Sequence, residues 1–499
     1  MNSILNRQTN TARRGAEFSS DEAFEKASTI VRSDATELDY SGIPLDVSTS
    51  GGNAYATSRD ELHCFIIGDT GCGKTRRIII PSIRLIGKTG ESMVISDPKG
   101  ELYRKTAGGL KQHGYDIKIV NMRNPGRGQR WNPFALADKL YHSGNEEDYD
   151  RAMLIIEDIM EILRADNQSE HDPYWVNMAI QYIKGLAFLL LEHGEGSLSF
   201  GRLADLDREM SSMMAVKGKA LAGYIRSLEP GSPVKENLYG LADLLKEEIS
   251  TTAGCVLSEA QSILAQYTRQ QTVRKLLDAS DFDMEDIGRK STALYIVLPD
   301  DSEALYPLAT LMVKQIYSAL VNIADGVGGK LPNKVSFILD EFANFTKLPS
   351  IGSMLSASRS RGIRFILVCQ NVGQLEHKYG EEDAETIRSN CRVWVYMGCR
   401  NLKFLEMLQY LSGTHVEKYG GDKYPLMDID MLQRLSMGEI FVWNDRCSPK
   451  LCYLPDCSEY DFGSDDVEEV DMPSYRKDEA RPAIDIKEII DITPFIENE

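Results

Sequence analysis

The stretch Gly68-Asp-Thr-Gly-Cys-Gly-Lys74-Thr75 matches the pattern GxxxxGK[ST]. It follows an apolar run at residues 62–67 and precedes a segment with helical character, which is the context in which this pattern forms a phosphate-binding loop. We predict that Lys74 reaches the β- and γ-phosphates of ATP and that the Thr75 hydroxyl binds Mg²⁺, while the following helix directs its positive end at the anion. The residues predicted to surround the nucleotide are Gly68, Asp69, Thr70, Gly71, Cys72, Gly73, Lys74 and Thr75.

A second apolar run, at residues 335–339, ends in Asp340-Glu341. Carboxylates at the end of a buried strand lie where a nucleotide binds, beside the carboxyl edge of a parallel sheet. We therefore predict that Asp340 holds the Mg²⁺ shell and that Glu341 orients and deprotonates the attacking water, because that water needs a base within hydrogen-bond reach. The alternative is an acidic N-cap for the next helix, which the upstream phosphate loop makes less favourable.

One strand further on, the apolar run at residues 365–369 ends in Gln370. A neutral amide at this position is suited to contact the γ-phosphate and to report hydrolysis, although it can also simply cap a turn. The order of loop strand, acid strand and glutamine strand favours the RecA-like class over small GTPases. Those proteins need an NKxD segment, which the sequence lacks.

Three arginines, Arg359, Arg361 and Arg364, follow the acid strand and the helix after it. A ring-shaped ATPase needs an arginine from one subunit to complete the site of the next, and Arg359 is the first candidate. The alternatives are a solvated side chain or a favourable charge at a helix C-terminus.

The pattern of apolar residues predicts how the chain is divided into domains. With 499 residues, 42% of them hydrophobic, it can bury more than one core. Short strand-like runs at 62–67, 93–96 and 117–120 give way to helical spacing, and the strand pattern resumes at 293–298, 335–339, 365–369, 393–397 and 440–443. We predict an α/β fold, a RecA-like P-loop ATPase domain with a mostly parallel sheet (residues 41–149 and 280–455), interrupted by an all-α insertion (150–279). Residues 1–40 are predicted to be a polar lead-in and 456–499 a flexible acidic tail.

Charge is concentrated at the C-terminal end. The net charge is −19, and residues 456–499 hold fifteen acidic and four basic residues. This tail is either a regulatory or docking element or a solubilising one, and its isoleucines could form a short docking segment: Ile484, Ile486, Ile489, Ile490 and Ile492. The remaining residues carry −8, so a pore or groove can still be locally basic and bind DNA.

Several features of the sequence predict that the protein is located in the cytoplasm. Nine cysteines occur without a CxxC pair, which fits reduced thiols, and the even spacing of Cys447, Cys452 and Cys457 is explained by a metal site or by ordinary packing. Residues 1–11 lack the apolar core of a secretory signal. The apolar runs are shorter than the ~20 residues that cross a bilayer, so we expect no membrane span.

Residues 16–449 resemble the type IV coupling proteins of bacterial conjugation and secretion. Besides the two nucleotide motifs, the resemblance rests on Ser96-Asp97-Pro98-Lys99-Gly100-Glu101, Asn132-Pro133-Phe134, Asp340-Glu-Phe-Ala-Asn344, Arg359-Ser-Arg-Gly362, Gln370 with Gln374-Leu375, Ser389-Asn390-Cys391, and Leu426-Met427 before Leu432. Several of these segments are particular to the family.

The resemblance implies a homohexameric ring that hydrolyses ATP and moves relaxase-bound DNA, expected to be single-stranded, or protein into a type IV secretion channel. It implies that the helical insertion engages the cargo, that Arg359 is the arginine finger, and that Asp97 and Glu101 lie near the nucleotide. Most members begin with transmembrane helices, and this sequence shows none. We therefore expect a separate membrane anchor protein to recruit the chain to the cytoplasmic face of the inner membrane. The alternatives are a soluble DNA translocase or packaging-type motor, and a nucleotide-binding adaptor.

Overall fold

A computed structural model describes residues 15–59, 62–167, 173–245, 251–416, 423–444, 447–463, 469–473 and 489–496. The predictions for residues 1–14 and for Ile484 and Ile486 lie outside the described residues.

The described strands form three sheets. Their bounds are β1 (Thr29–Arg32), β2 (Pro44–Val47), β3 (Ala54–Thr57), β4 (Cys64–Ile67), β5 (Ser92–Asp97), β6 (Asp116–Asn121), β7 (Thr292–Val297), β8 (Val335–Leu339), β9 (Ile363–Cys369), β10 (Val393–Tyr396), β11 (Thr414–Val416), β12 (Lys423–Pro425), β13 (Glu439–Asn444) and β14 (Lys450–Tyr453). The eight strand runs predicted from the sequence are confirmed as β4 to β10 and β13.

The main sheet has nine strands in the order β14-β13-β10-β4-β9-β8-β5-β7-β6. Neighbours from β10 to β6 are parallel, whereas β13 and β14 pair antiparallel at one edge. Every residue of β4, β5, β8 and β9 is buried, since helices cover both faces of a parallel sheet. The predicted mostly parallel α/β fold is confirmed. Because β9 lies between β4 and β8, the ends of these three strands meet at one carboxyl edge.

The described helices are α1 (Asp21–Ala27), α2 (Ile80–Gly87), α3 (Glu101–Gln112), α4 (Ala135–Tyr141), α5 (Glu146–Asn167), α6 (Pro173–His193), α7 (Phe200–Ser227), α8 (Pro233–Leu244), α9 (Thr251–Thr268), α10 (Gln271–Leu276), α11 (Asp286–Arg289), α12 (Tyr306–Gly326), α13 (Ile351–Ser358), α14 (Val372–Tyr379), α15 (Glu381–Asn390), α16 (Leu402–Ser412), α17 (Ile429–Gln433) and α18 (Thr493–Ile496).

The described helices α4 to α11 lie between β6 and β7 in the chain. The limits 150 and 279 proposed for the helical insertion do not coincide with the element boundaries, since residue 150 lies inside α5 and helices continue to Arg289. The prediction places the acidic start of α5, Glu146 to Asp148, in the ATPase domain, but these carboxylates suit the positive end of a helix. By length and composition α6 could cross a membrane, yet 67% of its apolar window is buried inside the protein, as in a core helix.

The described part of the predicted lead-in is structured. Helix α1 is capped by Ser20, whose side chain accepts a hydrogen bond from Ala23 N, and it buries Phe24 completely. Strand β1 pairs with β3 in a small antiparallel sheet in the order β1-β3-β2. The prediction of a polar lead-in did not include these elements, because both are only a few residues long.

The described parts of the acidic tail contact the rest of the protein. Tyr460 stacks on Tyr55 with ring centroids 4.4 Å apart, and Phe462 is 1% exposed. Near the C-terminus, Ile490 is 2% exposed and Phe495 packs edge-on against Tyr224 of α7. The prediction of a flexible tail is therefore wrong for these described residues, because a few large apolar side chains anchor an otherwise acidic segment.

Candidate nucleotide-binding site

The phosphate loop follows the carboxyl end of β4 and leads through a π-helical turn into α2. Gly71 and Gly73 have φ angles of +85° and +93°, a backbone conformation that side chains rarely adopt. A Cβ on Gly68 would stand 2.5 Å from the sulfur of Cys72 and 2.9 Å from the Cβ of Met397, so a side chain at this position would force its neighbours to move. The glycines of the motif thus fit the observed backbone at Gly71 and Gly73 and the close packing at Gly68.

Lys74 is 8% exposed and faces the same cleft as Thr75. Its Nζ donates hydrogen bonds to the carbonyl oxygens of Gly68 and, at 3.1 Å, of Asp69. The five residues from Thr75 to Ile79 form a π-helical turn before α2 begins. The structure therefore places the Lys74 ammonium and the Thr75 hydroxyl at the start of the same helix, as the sequence predicts for phosphate and Mg²⁺ binding.

Asp340 lies at the carboxyl end of β8. Its side chain keeps some exposure to the cleft, but surrounding protein and the neighbouring Glu341 carboxylate raise its pKa to about 7, against the opposing effect of Lys74. Ser96 at the end of β5 donates a hydrogen bond of 2.9 Å to the Asp340 carbonyl and so ties the two strand ends together. A carboxylate whose charge is disfavoured in this way is suited to receive a cation.

Glu341 has a left-handed backbone, with φ of 56° and ψ of 39°, which is uncommon for a residue other than glycine. Its Oε1 accepts a hydrogen bond of 2.8 Å from Gln370 Nε2, and its Oε2 accepts one of 3.2 Å from Asn344 Nδ2. The side chain does not cap the short 3-10 turn that follows. The alternative of an acidic N-cap is therefore wrong, and the carboxylate is aimed across the sheet edge.

Gln370 links the acid strand to the phosphate loop. Its Oε1 accepts a hydrogen bond of 2.8 Å from Thr70 Oγ1, while its amide nitrogen donates to Glu341. Residues that are 300 positions apart in sequence are thereby joined in one chain of hydrogen bonds. The geometry can transmit a change at the phosphate loop to Glu341.

These residues line a cleft of about 270 Å³. Residues of the segment from Asp97 to Leu102 also line the cleft, and Asp97 is 1% exposed and accepts a hydrogen bond of 2.9 Å from Tyr103 N. Burial raises the pKa of Asp97 although several backbone N–H groups of the α3 start oppose this effect. Asp97 thus organises the start of α3, and Glu101 lines the cleft itself, pairing with Lys105.

The structure separates the three arginines from this cleft. They lie before or at the amino end of β9, whereas Gln370 follows its carboxyl end, so five to seven strand residues, roughly 20 Å, intervene. Arg359 is exposed, and Arg361 pairs with Asp325 at 3.3 Å. Arg364 is 1% exposed and forms a buried ion pair with Glu91. It is therefore neither a solvated side chain nor an exposed arginine finger.

Sequence reasoning missed Arg76, which follows the phosphate loop directly and also lines the cleft. The sequence feature that could have identified it is a basic residue immediately after the GxxxxGK[ST] motif. Its guanidinium binds Asp456, a residue 380 positions away, and nothing in the sequence indicated that pair.

The donor set suits Mg²⁺ more than a transition metal. In the described part of the chain, no group of three or more His, Cys, Asp or Glu side chains is positioned for a metal ion, and the hypothesis of a site at Cys447, Cys452 and Cys457 finds no support there. A hydroxyl from Thr75 and one carboxylate from Asp340 fit Mg²⁺, which is usually held by one or two carboxylates together with phosphate oxygens.

Fold and site together define a P-loop nucleotide-binding protein of the RecA-like class, with a helical block inserted between two strands of the sheet. Residues 17–414 match the family model described as "Type IV secretory system Conjugative DNA transfer". The chain belongs to this family, and the resemblance predicted from its motifs is confirmed.

The relatives agree with this assignment. The chain is 27% identical over 373 residues to a conjugal transfer protein TraG of Escherichia coli, covering 70% of this chain and 55% of the relative. It is 23% identical to the protein VirD4 of Agrobacterium fabrum (strain C58 / ATCC 33970), covering 69% and 48%. The chain therefore spans about half the length of the curated relatives it matches.

Solved structures share the fold. The bacterial conjugative coupling protein TrwBdeltaN70 in its unbound form aligns with a TM-score of 0.58 and 18% identity, over 89% of this chain and 93% of that one. TrwB in complex with ADP and Mg²⁺ aligns with a TM-score of 0.55 and 18% identity, over 92% and 97%.

Proposed function

We propose that this chain is an ATP-hydrolysing coupling protein that drives DNA into a type IV secretion or conjugation channel. The observation that carries the proposal is the hydrogen-bonded series Thr70, Gln370, Glu341 beside Lys74, in a chain that belongs to a family of conjugative DNA transfer. A site that only bound nucleotide would have no need of a carboxylate linked to the phosphate loop through an amide.

The residues of the cleft suit ATP and Mg²⁺ binding. Backbone N–H groups of the phosphate loop and the Lys74 ammonium supply positive charge for phosphates, and Thr75 with Asp340 would hold Mg²⁺, which neutralises phosphate charge when bound. One of the TrwB structures of the same fold is a complex with ADP and Mg²⁺, which supports this choice of ligands.

Glu341 is the proposed general base. Its carboxylate lies in the cleft at the carboxyl edge of the sheet, where hydrogen bonds from Gln370 and Asn344 orient it. In this position it can accept a proton from the water that attacks the γ-phosphate. Gln370, bound to both Thr70 and Glu341, would report whether the γ-phosphate is present.

The proposed partners are supported by the family to which the chain belongs. We propose that the cargo is relaxase-bound DNA or protein engaged by the helical block α4 to α11, and that the working form is a homohexamer. Arg359, exposed and remote from its own cleft, would act on a neighbouring subunit. A separate anchor protein would hold the ring at the cytoplasmic face of the inner membrane, beside the secretion channel.

The direct test is ATP hydrolysis with and without DNA. We expect Mg²⁺-dependent turnover that rises when single-stranded or double-stranded DNA is added, because a motor responds to its track. Lys74→Ala should abolish turnover by weakening nucleotide binding. Turnover that is the same with and without either DNA would contradict the translocation function and favour the adaptor alternative.

The role of Arg359 is tested in mixed assemblies. Arg359→Ala and Glu341→Gln chains are each expected to be inactive, and mixing them should restore part of the activity, since some interfaces then contain one complete site. Arg361→Ala is the matched control, because Arg361 pairs with Asp325 of its own chain. Failure to recover activity in assemblies shown to be mixed would exclude action across the interface.

A further inference from the structure

Arg76 stands at the junction of the nucleotide cleft and the C-terminal segment. It follows Thr75 in the chain and lines the cleft, with a side chain that is 45% exposed. Asp456 engages it through two hydrogen bonds, one of 2.7 Å from Arg76 Nε to Asp456 Oδ2 and one from Nη2 to Oδ1. This two-point contact is the strong form of an arginine–carboxylate pair.

The fold holds the Asp456 carboxylate in place. Its Oδ1 also accepts hydrogen bonds of 3.0 and 2.7 Å from Ser458 N and Oγ, and its own N–H donates to Glu459 Oε1 at 2.7 Å. The contact with Arg76 and the hydrogen bonds from Ser458 hold the pKa of Asp456 well below its ordinary value. The stacking of Tyr460 on Tyr55 fixes the following residues. Asp456 is therefore a fixed negative charge beside the cleft.

The charges around the cleft explain why the Arg76–Asp456 pair can affect nucleotide binding. The lining cations are Lys74, Arg76 and Lys99, and they face four carboxylates: Asp97, Glu101, Asp340 and Glu341. A nucleotide brings several negative charges into this space. Because the edge of the Arg76 guanidinium formed by Nε and Nη2 is occupied by Asp456, a phosphate that takes that edge must displace the carboxylate.

We propose that Arg76 is a further phosphate-binding residue of this cleft and that Asp456 competes with the nucleotide for it, so that the start of the C-terminal segment sets nucleotide affinity. This inference rests on nucleotide binding in the proposed function. Linkage requires the reverse effect as well: a bound nucleotide weakens the hold of Arg76 on Asp456 by the same factor.

The test measures Mg-ADP affinity by calorimetric titration, which avoids turnover. Asp456→Asn should tighten binding by roughly 5-fold or more, the lower end of typical coupling between two sites. Arg76→Ala should weaken binding, and Asp456→Asn in the Arg76→Ala background should change nothing further. Asp461→Asn is the matched control, since Asp461 lies five residues away in the same segment and contacts Asn53 instead; it should leave the affinity unchanged.

The opposite results overturn the proposal. Weaker or unchanged binding in Asp456→Asn would exclude competition, and an undiminished gain in the Arg76→Ala background would show that Asp456 acts without Arg76. Equal affinity in the wild type and in Arg76→Ala overturns this inference alone, whereas a wild-type chain that binds no Mg-ADP overturns the proposed function and this inference with it. Thermal unfolding of each variant checks that the fold is intact.

Discussion

The two edges of the central sheet use charged residues in opposite ways. At the carboxyl edge, Asp340 and Glu341 sit side by side, one with a raised pKa and the other with a left-handed backbone. At the amino edge, Arg364 and Glu91 are paired at 3.0 Å with almost no exposure. The same parallel strands β8 and β9 connect the two sets of residues.

At the amino edge, buried polar side chains form hydrogen bonds with other groups of the protein. Arg364 donates through Nε to Ser336 Oγ at 3.0 Å and through Nη1 to Tyr40 Oη at 3.0 Å, in addition to its bond with Glu91. His63 nearby contacts Leu355 O at 2.8 Å through Nε2 and accepts from the N–H of Phe365 through Nδ1. These groups are satisfied by the protein itself.

The difference shows which charges are available for chemistry. A buried charge that is fully paired stabilises one arrangement of the chain, whereas like charges held together at a cleft store free energy that a cation or a proton can release. The carboxyl edge is therefore expected to lose function when mutated, and the amino edge to lose stability.

The largest expected effect is catalytic. Glu341→Gln should bind Mg-ATP but hydrolyse it at least ~100-fold more slowly, because general-base catalysis typically contributes roughly 10²- to 10⁴-fold. Steady-state turnover and nucleotide titration on the same preparation separate the two steps, and unfolding should be little changed. Near-normal turnover would remove Glu341 from this role.

At the amino edge, Glu91→Ala should leave Arg364 buried without its partner. The expected loss is roughly 3–5 kcal/mol in the free energy of unfolding, measured by denaturant titration. Asp325→Ala is the control, since it breaks the exposed pair with Arg361 and should cost less than about 1 kcal/mol. Nucleotide affinity at a temperature where the Glu91 variant is folded should match the wild type. A large loss of affinity there would break the contrast between the edges.

His63 adds a pH dependence to the stability of the amino edge. Burial lowers its pKa to about 4, against an ordinary value of 6.5, so the folded state prefers the neutral ring. Its contribution is present above pH 6.5 and is lost as pH falls through 6.5 toward 4, amounting to about 3 kcal/mol. His63→Gln should have a flatter unfolding free energy between pH 7 and pH 4.5. An identical slope in both proteins would contradict this assignment.

The smallest expected effect concerns Gln370. Gln370→Ala removes the contacts with Thr70 and Glu341 but no charged group, so we expect turnover to fall by roughly 10-fold, the equivalent of about one or two hydrogen bonds. Mg-ADP affinity should change little, since the proposed contact is with the γ-phosphate. A loss as large as that of Glu341→Gln would mean that the amide takes part in the chemistry directly.

Much of the carboxyl edge could be predicted because its parts are contiguous motifs. The glycines at 68, 71 and 73, with Lys74 and Thr75, define a loop whose conformation depends on backbone geometry over a few residues. Asp340-Glu341 and Gln370 each follow an apolar run, and strands in a parallel sheet place such ends at one edge. Local pattern was sufficient for these positions.

The amino edge could not be predicted in the same way. Arg359, Arg361 and Arg364 look alike in sequence, yet one is exposed, one pairs at the surface and one is buried. Residue type and spacing do not reveal that Glu91, 273 positions away, neutralises Arg364. The order of strands decides which of these residues meet.

The sequence by itself determined the phosphate loop, the acid strand, the family and the alternation of strands and helices, because each depends on residues close together in the chain. Only the tertiary structure decided that Gln370 joins Thr70 to Glu341, that Arg364 is buried and that Asp456 binds Arg76. The physical reason is that these contacts form between residues far apart in sequence, where strand order and packing determine distance, burial and charge.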